Sequence, residues 1–379
     1  MINRKSLAIL FPLLLSSSVS SINAKEIYNE NGQTINLYGN VNPLYFYSYT
    51  SNPFAFHSIG NYTNLKIGIV SKSYINKFIS GYMHVEYNPK FSSSYNENIS
   101  NSFNKNNINL SYVGLDFGKW GSIDYGRNYG ITYYSKQFTN KFFDNTESII
   151  FHKDDNFLLG RTDDVLTYKN KNFSGYLDGF DLVLQHHNYC RNDKSNIKKI
   201  YNDSWGAALQ YNSIYGFKII GSTEISPYNE QNHLNKACDF VKSYALGCYY
   251  SFKNSMVSGF YCHSKNIERN FQKYDKKYKI LDSIEVSGNY DFRNGFKASM
   301  GYIKSFGKAI TNGDYHKISK SDTLNNHLNF ILTYNFNKNF VLNIHYKYSL
   351  FKNNKYFSEK KNYFDDVNNS IGTGIMYIF

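Results

Sequence analysis

The chain has 379 residues, a formal net charge of +13 and a mean hydropathy of −0.52. Beyond the first residues no apolar run is long enough to span a bilayer as a helix, so hydropathy alone indicates a soluble secreted protein. The chain nevertheless contains 37 Tyr and 30 Phe, a high aromatic content for so polar a sequence. This composition suits a protein with one surface that faces lipid and another that faces water.

The first residues predict export. Arg4 and Lys5 precede the apolar run Leu7 to Leu15, and a small, polar stretch ends at Ala24, which is the pattern of a secretory signal peptide over residues 1–24. A retained anchor is the alternative, but the run is far shorter than the roughly 20 residues of a spanning helix.

Cleavage after Ala24 removes two positive charges and leaves a mature chain near +11. Anionic lipid and anionic solutes are then candidate partners, whereas export argues against nucleic acid. An AT-rich genome, which would favour lysine codons, would equally account for the high lysine content.

Period-two alternation of side chains predicts strands along the mature chain. It is clearest in residues 328–336 and 340–350, which flank the polar turn Asn337-Lys338-Asn339. One such hairpin also occurs in soluble proteins, but here the pattern recurs, at Ile35 to Tyr49, Leu65 to Val70, Phe78 to Tyr87, Ile108 to Phe117, Phe180 to His186, Trp205 to Tyr211, Phe217 to Ser222, Ile284 to Phe292 and Phe296 to Ile303.

The connections between these strands predict the architecture. Short turns such as Arg293-Asn294-Gly295 alternate with long polar segments, namely Asn88 to Asn107, Asn188 to Asp203 and Gln272 to Lys279. Short turns at one rim and long loops at the other are the layout of an outer-membrane barrel. At roughly 20 residues per strand and connection, residues 25–379 predict one all-β domain, a transmembrane antiparallel β-barrel of about 16 strands. The last strand, 371–379, should close on the first, near 35–41, because hydrocarbon cannot satisfy an open edge.

The sequence offers no sign of catalysis. No GxSxG, HExxH or phosphate-loop pattern is present, so we expect no enzyme, no metal and no cofactor. Cys190, Cys238, Cys248 and Cys262 are too scattered for a zinc site. One or two disulfides and free thiols both remain open.

Three parts of the chain carry a resemblance to a known family. The opening Glu26 to Asn29 with Leu37-Tyr38-Gly39, the internal Gly121 to Gly130, and the hairpin Tyr334 to Asn339 with the terminal Tyr377-Ile378-Phe379 resemble the general trimeric porins of enteric Gram-negative bacteria. The resemblance implies passive diffusion of small hydrophilic solutes and ions through a water-filled channel in the cell outer membrane. It further implies a homotrimer that contacts outer-membrane lipid and lipopolysaccharide, and barrel-assembly machinery that recognises Phe379 and Tyr377.

The same resemblance implies a pore constriction formed by a long loop that folds inward, here Ser135 to Phe157. Lys66 and Arg161 keep basic wall positions of the family, and Glu86 matches an acid behind them. Asn40 and Asn109 stand where the family usually has Lys or Arg. Since two of four wall cations are replaced, we expect a weaker transverse field than in members with the full cluster. Lys66 and Arg161 as ordinary solvated lumen charges are the alternative.

The loop itself departs from the family pattern. Asp144 takes the place of the family's loop acid and Glu147 offers a second one, but the paired glycines of the family motif are absent, so the loop's path is not implied. Both acids would face bulk water if the loop folded outward. Arg127, in the specific internal segment, is expected to make an interior or subunit-contact salt bridge rather than to line the filter.

Three other functions remain open at this stage. The +11 mature charge suggests a substrate-selective or anion-preferring channel. An outer-membrane barrel enzyme is a second alternative, but no convincing Ser/His/Asp set is present. An adhesin or envelope-structural role is a third, because long loops tolerate such duties.

Overall fold

The computed structural model describes residues 24–49, 58–93, 107–139, 157–192, 199–228, 239–271, 276–311, 314–350 and 369–379. The predicted signal peptide up to Asn23, the loop acids Asp144 and Glu147, and Cys238 lie outside these residues, as does the side chain of Cys190. Neither Cys248 nor Cys262 forms a disulfide within the described residues.

The described part of the chain is almost entirely strand. Its segments are β1 (Lys25–Glu30), β2 (Gln33–Tyr49), β3 (Ser58–Tyr74), β4 (Ser80–Tyr87), β5 (Lys90–Ser93), β6 (Ile108–Asp116), β7 (Ser122–Tyr129), β8 (Arg161–Asn170), β9 (Phe180–Asn192), β10 (Lys199–Asn212), β11 (Phe217–Tyr228), β12 (Asp239–Phe252), β13 (Ser255–Phe271), β14 (Lys276–Asp291), β15 (Phe296–Thr311), β16 (Asp314–Asn335), β17 (Phe340–Ser349) and β18 (Asn369–Ile378). The helical segments are α1 (Ile131–Lys136), the four-residue turn α2 (Asn172–Gly175) and a 3-10 turn at Gly118–Trp120. None of the helices in these ranges is long and apolar enough to cross a membrane.

These segments form one closed antiparallel barrel. Apart from the short β5, each strand from β2 onward pairs with the next one along the barrel, with β4 pairing to β6. β18 pairs with β2, from Asn369 opposite Tyr49 to Ile378 opposite Asn40. Two positions in the barrel are each shared by two segments, because β4 and β5 follow one another along β3, and β18 and β1 follow one another along β2. The eighteen segments therefore make the sixteen strands that the sequence predicts.

The closure itself is the one expected for the last strand. Phe379 and Gly39 exchange two backbone hydrogen bonds, of 2.9 and 3.0 Å, directly beyond the β18–β2 pairs. Lys25 of β1 then lies opposite Leu37. The sheet consequently has no unpaired edge at this seam, as hydrocarbon surroundings require.

The two rims differ as expected. Short connections such as Arg293 to Gly295 lie at one rim. The strand ends that border the undescribed segments lie at the other rim. The segment Asn188 to Asp203 was expected to be a loop, and this was wrong for most of its length, since β9 continues to Asn192 and pairs there with Lys199 of β10. Strands pair through backbone hydrogen bonds, and outside the lipid these do not require apolar side chains. A polar sequence therefore gives no sign that β9 and β10 extend this far.

Side chains are distributed inside out relative to a soluble protein. Along β13, Val257 and Tyr261 face outward and are 55% and 42% exposed, whereas Ser258 and Ser264 between and beyond them are buried in the barrel. Apolar surface that faces acyl chains is not penalised, and the polar side chains line the lumen. The predicted outward face of β16 follows the same rule, with Phe330 and Leu332 exposed.

Candidate pore constriction

The chain turns into the lumen directly after β7. The two ends of the β7–β8 connection lie side by side, because Gly130 N donates to Gly160 O (2.6 Å) and Thr132 N donates to Leu158 O (3.1 Å). Helix α1 begins at Ile131, and all six of its residues are buried. Residues 131–136 therefore lie inside the barrel instead of extending from its rim.

Small wall residues make room for α1. A Cβ built on Gly206 of β10 would lie 2.5 Å from Ile131 Cγ2, and one on Gly247 of β12 would collide with the carbonyl of Ser135. Apolar side chains of α1 and its flanks pack on the wall between β8 and β11, in a cluster made of Ile131, Tyr134, Phe138, Leu158, Val165, Val183, Ala208 and Ile220. Burial also raises the pKa of Tyr134 well above its usual value, so the helix brings a neutral hydroxyl into the lumen.

Polar contacts hold the first flank of the loop against the same wall. Ser135 Oγ lies 2.7 Å from Ser222 Oγ, and Gln137 Nε2 donates to Gln210 Oε1 at 3.1 Å. These contacts join α1 to β11 and the residue after α1 to β10. The helix is therefore positioned by hydrogen bonds as well as by packing.

Two buried glutamates on the wall hold both flanks. Glu285 of β14 accepts a hydrogen bond from Thr139 Oγ1 (2.7 Å) and pairs with Lys136 Nζ at 3.7 Å. Glu224 of β11 accepts the backbone N–H of Leu158, at 2.7 Å. The described ends of the candidate loop, residues 135–139 and 157, thus lie inside the barrel, which agrees with the inward path expected for it.

The wall formed by β2, β3, β4 and β6 brings four of the predicted site residues together. Lys66 Nζ lies 2.8 Å from Glu86 Oε2, and Asn109 Nδ2 donates to Glu86 Oε1 at 2.9 Å. Asn40 of β2 lies directly across from Lys66 of β3. Asn109 reaches Glu86 because the β4–β6 pairing shifts register at this point, so that Glu86 lies opposite Leu110 and the next pair skips Asn109.

Two tyrosines and a histidine extend this cluster along the wall, and sequence reasoning did not identify them as site residues. Tyr38 OH donates to Glu86 Oε2 (2.7 Å) and lies 2.6 Å from His84 Nε2, while His84 Nδ1 lies 3.1 Å from Tyr112 OH. Because the Tyr38 proton goes to the carboxylate, Nε2 of His84 donates to Tyr38 and Nδ1 accepts from Tyr112. All three side chains are buried and occupy the polar face of their strands, and this position in the alternation is the signal that identifies them.

Three lysines of this wall are matched by carboxylates. Besides the Lys66–Glu86 pair, Lys169 Nζ lies 3.0 Å from Asp124 Oδ2 and Lys72 Nζ lies 3.4 Å from Asp116 Oδ2. An ion pair has a far smaller field at a distance than a lone charge, since the two contributions nearly cancel. These three pairs therefore add polarity to the wall but little net charge.

Arg161 joins this region from the start of β8. Its guanidinium lies 5.7 Å from the centre of the Tyr129 ring, which itself stacks on Tyr133 of α1 at 4.5 Å and 5°. Attraction of a cation to an aromatic face is worth about 0.5–2 kcal/mol. Arg161 is thereby positioned at the base of the inward connection.

Arg127 lies on the outer face of the barrel. Its Nη1 donates to Asp163 Oδ1 (2.7 Å) and its Nε donates to Ile108 O (2.6 Å), on the side where Tyr125 is exposed. The interior alternative for Arg127 was therefore wrong. A subunit contact stays a prediction.

The terminal aromatic residues face outward as well. The rings of Tyr377 and Phe379 lie 6.2 Å apart at 30°, and Tyr377 is 41% exposed. Their predicted part in barrel assembly stays a prediction.

Known proteins match the chain over nearly its whole length. The family described as Gram-negative porin matches residues 30–379. A porin-like protein of Buchnera aphidicola subsp. Acyrthosiphon pisum is 31% identical over 392 residues, which cover 100% of both chains. Outer membrane protein F of Serratia marcescens is 28% identical over 398 residues, again covering 100% of both.

Solved structures agree with these relatives. OmpF of Salmonella typhi, in complex with daunomycin, has a TM-score of 0.75 and 26% identity over 94% of this chain and 100% of its own. An anion-selective porin from Comamonas acidovorans has a TM-score of 0.62 at 13% identity, over 92% of this chain and 100% of its own, and shares the fold. Because the family match and a relative above 30% identity both span the chain, it belongs to the Gram-negative porin family and is an outer-membrane porin.

Proposed function

We propose that the barrel passes small hydrophilic solutes and ions by passive diffusion, through a lumen that the β7–β8 connection narrows. The observation that carries this proposal is the burial of both flanks of that connection against the wall, through Glu224 and Glu285. Packing and hydrogen bonds hold these flanks there, and passive diffusion requires neither a cofactor nor an energy source. The family and the fold point to a channel rather than an enzyme.

The filter that we propose is weakly charged. Glu86 balances Lys66, and Asn40 and Asn109 are neutral where cations would strengthen a transverse field. Arg161 adds a cation at the base of the inward connection, and Asp144 and Glu147 are the acids that the resemblance assigns to the loop. Cations should follow the acids and anions the bases, with a modest preference overall.

Ion selectivity in planar bilayers tests this filter. Lys66→Ala and Arg161→Ala should each move the reversal potential in a salt gradient towards cation preference. Lys119→Ala, at an exposed short turn, is the matched control and should leave it unchanged. Reversal potentials equal to that of the wild type in both filter variants would overturn the assignment.

A substrate-selective or anion-preferring channel is the second candidate, supported by the net charge of +13 before signal removal. An anion preference that survives in the Arg161→Ala variant would favour it, because the preference would then come from the chain's overall charge and not from the filter.

We also propose that the barrels form a homotrimer. Arg127 and Asp163 face outward, where an arginine exposed to lipid would cost about 2–4 kcal/mol near the bilayer midplane, and contact with a second subunit would remove that cost. OmpT of Vibrio cholerae, which shares the fold at a TM-score of 0.59, has been solved in a trimer form. Arg127→Ala should weaken the trimer in native electrophoresis after mild heating. A trimer of unchanged heat stability would contradict this contact.

The remaining assignments concern export and the envelope. A signal peptide over residues 1–24 is supported by the pairing of β1, which starts at Lys25, beside the chain's other end. Lipopolysaccharide and outer-membrane lipid are proposed neighbours of the exposed apolar wall, and the barrel-assembly machinery is the proposed reader of Phe379. Sequencing of the mature N-terminus by mass spectrometry tests the cleavage site, and a start other than Lys25 would revise it.

A further inference from the structure

A cavity opens on the membrane-facing side of the barrel, at the rim of short turns. Its volume is about 290 Å³, and its lining comes from the neighbouring β12–β13 and β14–β15 hairpins, namely Phe252, Lys253, Asn254, Ser255, Tyr290 and Arg293. This is close to the smallest cavities that hold small molecules, about 300 Å³. It is separate from the lumen, since Phe252 and Tyr290 belong to the exposed outer face.

The two cations of the cavity are brought together by the backbone. Asp291 N donates to Asn254 O (2.9 Å), which joins the two turns, and Arg293 Nε donates to Asn254 Oδ1 (2.8 Å). Lys253 Nζ lies 5.1 Å from the centre of the Phe252 ring. Both cations are exposed, so they are available to a ligand.

Neither cation forms an ion pair within the described ranges, although Asp291 lies near Arg293. In the part of the chain that the structure describes, the Arg293 guanidinium makes its hydrogen bond to an amide oxygen, and Lys253 makes no ion pair. The nearby acid Asp291 accepts the Arg293 backbone N–H at 2.8 Å and pairs with Lys297 Nζ at 3.3 Å. A ligand that enters the cavity therefore meets two positive side chains.

The turn geometry favours other residues at these two positions. Lys253 and Arg293 have φ angles of +50° and +62°, in the left-handed region that Gly and Asn adopt more readily. A long cation at each such position, in two adjacent turns, is a local departure from turn chemistry, and departures of this kind cluster at binding sites.

We propose that this cavity binds the headgroup of an anionic phospholipid in the leaflet that faces the periplasm. Short turns lie on the periplasmic side in such barrels, so the cavity is level with the headgroups of that leaflet. Lys253 and Arg293 hold the phosphodiester, for which an arginine fork is well suited. The acyl chains lie along the apolar outer wall, and Phe252 and Tyr290 occupy the interface, where aromatic rings are favoured.

Lipid binding to the full mature barrel, measured by native mass spectrometry, tests the proposal. The wild type should retain phosphatidylglycerol in preference to phosphatidylcholine. In the Lys253→Asn/Arg293→Asn variant, asparagine is used because it tolerates the turn conformation. A basic residue near an anionic surface contributes about fivefold in affinity, so the affinity of the double variant for phosphatidylglycerol should fall about 25-fold. Lys119→Asn is the matched control, because Lys119 also lies 5.1 Å from an aromatic ring at a short turn but does not line the cavity.

Several outcomes would overturn the site. Equal retention of the two lipids by the wild type would overturn the site. This result requires no variant, so the proposal stays testable if the double variant does not fold. An equal loss in Lys119→Asn would indicate general attraction by the rim. Glycerol phosphate that competes at the concentration of the lipid itself would indicate a soluble anion as the ligand. Single-channel conductance, which depends on the lumen, should be unchanged in every variant.

Discussion

The buried pair between Lys136 and Glu285 gives the sharpest test of how the inward connection is held. The two charged atoms lie 3.7 Å apart, and the side chains are 2% and 3% exposed. Glu285→Gln keeps the size of the side chain and removes the anion of this pair. Loss of one partner of a buried pair costs about 3–5 kcal/mol, because the remaining charge stays desolvated. The connection can avoid that cost if Lys136 moves towards water.

Single-channel recording should reveal this movement. With α1 displaced, the lumen widens and fluctuates, so Glu285→Gln should show a higher and noisier conductance than the wild type. The control is Lys136→Met/Glu285→Leu, which removes both charges, and such replacements are often neutral or stabilising. The double variant should conduct steadily and unfold at a higher temperature than Glu285→Gln. Identical conductance, noise and unfolding temperature in all three proteins would refute the inference that the pair holds the connection.

Three further predictions concern the filter, the packing of α1 and the end of the chain. Glu86→Gln removes the partner of Lys66, so the reversal potential in a salt gradient should move towards anion preference; a move towards cations would contradict the pairing seen at 2.8 Å. Gly247→Ala places a Cβ against the Ser135 carbonyl and should destabilise the barrel by about 1–3 kcal/mol in urea unfolding, whereas no change would mean that α1 shifts freely. Phe379→Ala should lower the yield of folded, heat-modifiable barrel in the outer membrane, and a normal yield would argue against recognition of that ring.

The architecture was largely predictable because period-two alternation is a local signal. Residues 328–336 show it within nine positions, and the structure confirms the outward face through Phe330 and Leu332. Strand ends were less predictable. β9 runs on to Asn192 through polar residues, since pairing outside the lipid leaves no hydrophobic mark.

The sequence predicted which residues belong to the candidate site, but not which of them contact each other. Lys66, Glu86 and Asn109 were identified by resemblance, but a register shift in the β4–β6 pairing brings Asn109 to Glu86, and alternation does not indicate shifts. The anchor between Lys136 and Glu285 joins residues 149 positions apart. Such a pair depends on the closed barrel and on the path of α1, which no local pattern encodes.

Uptake of neutral sugars of graded size into liposomes that carry the mature barrel tests the central claim most directly. A lumen narrowed by a fixed connection, with its wall charges paired, should admit small sugars and slow steeply as their size increases. Charged solutes of equal size should enter at similar rates. No swelling with the smallest sugar, or uptake confined to anionic solutes, would contradict the conclusion that this porin is a general diffusion channel.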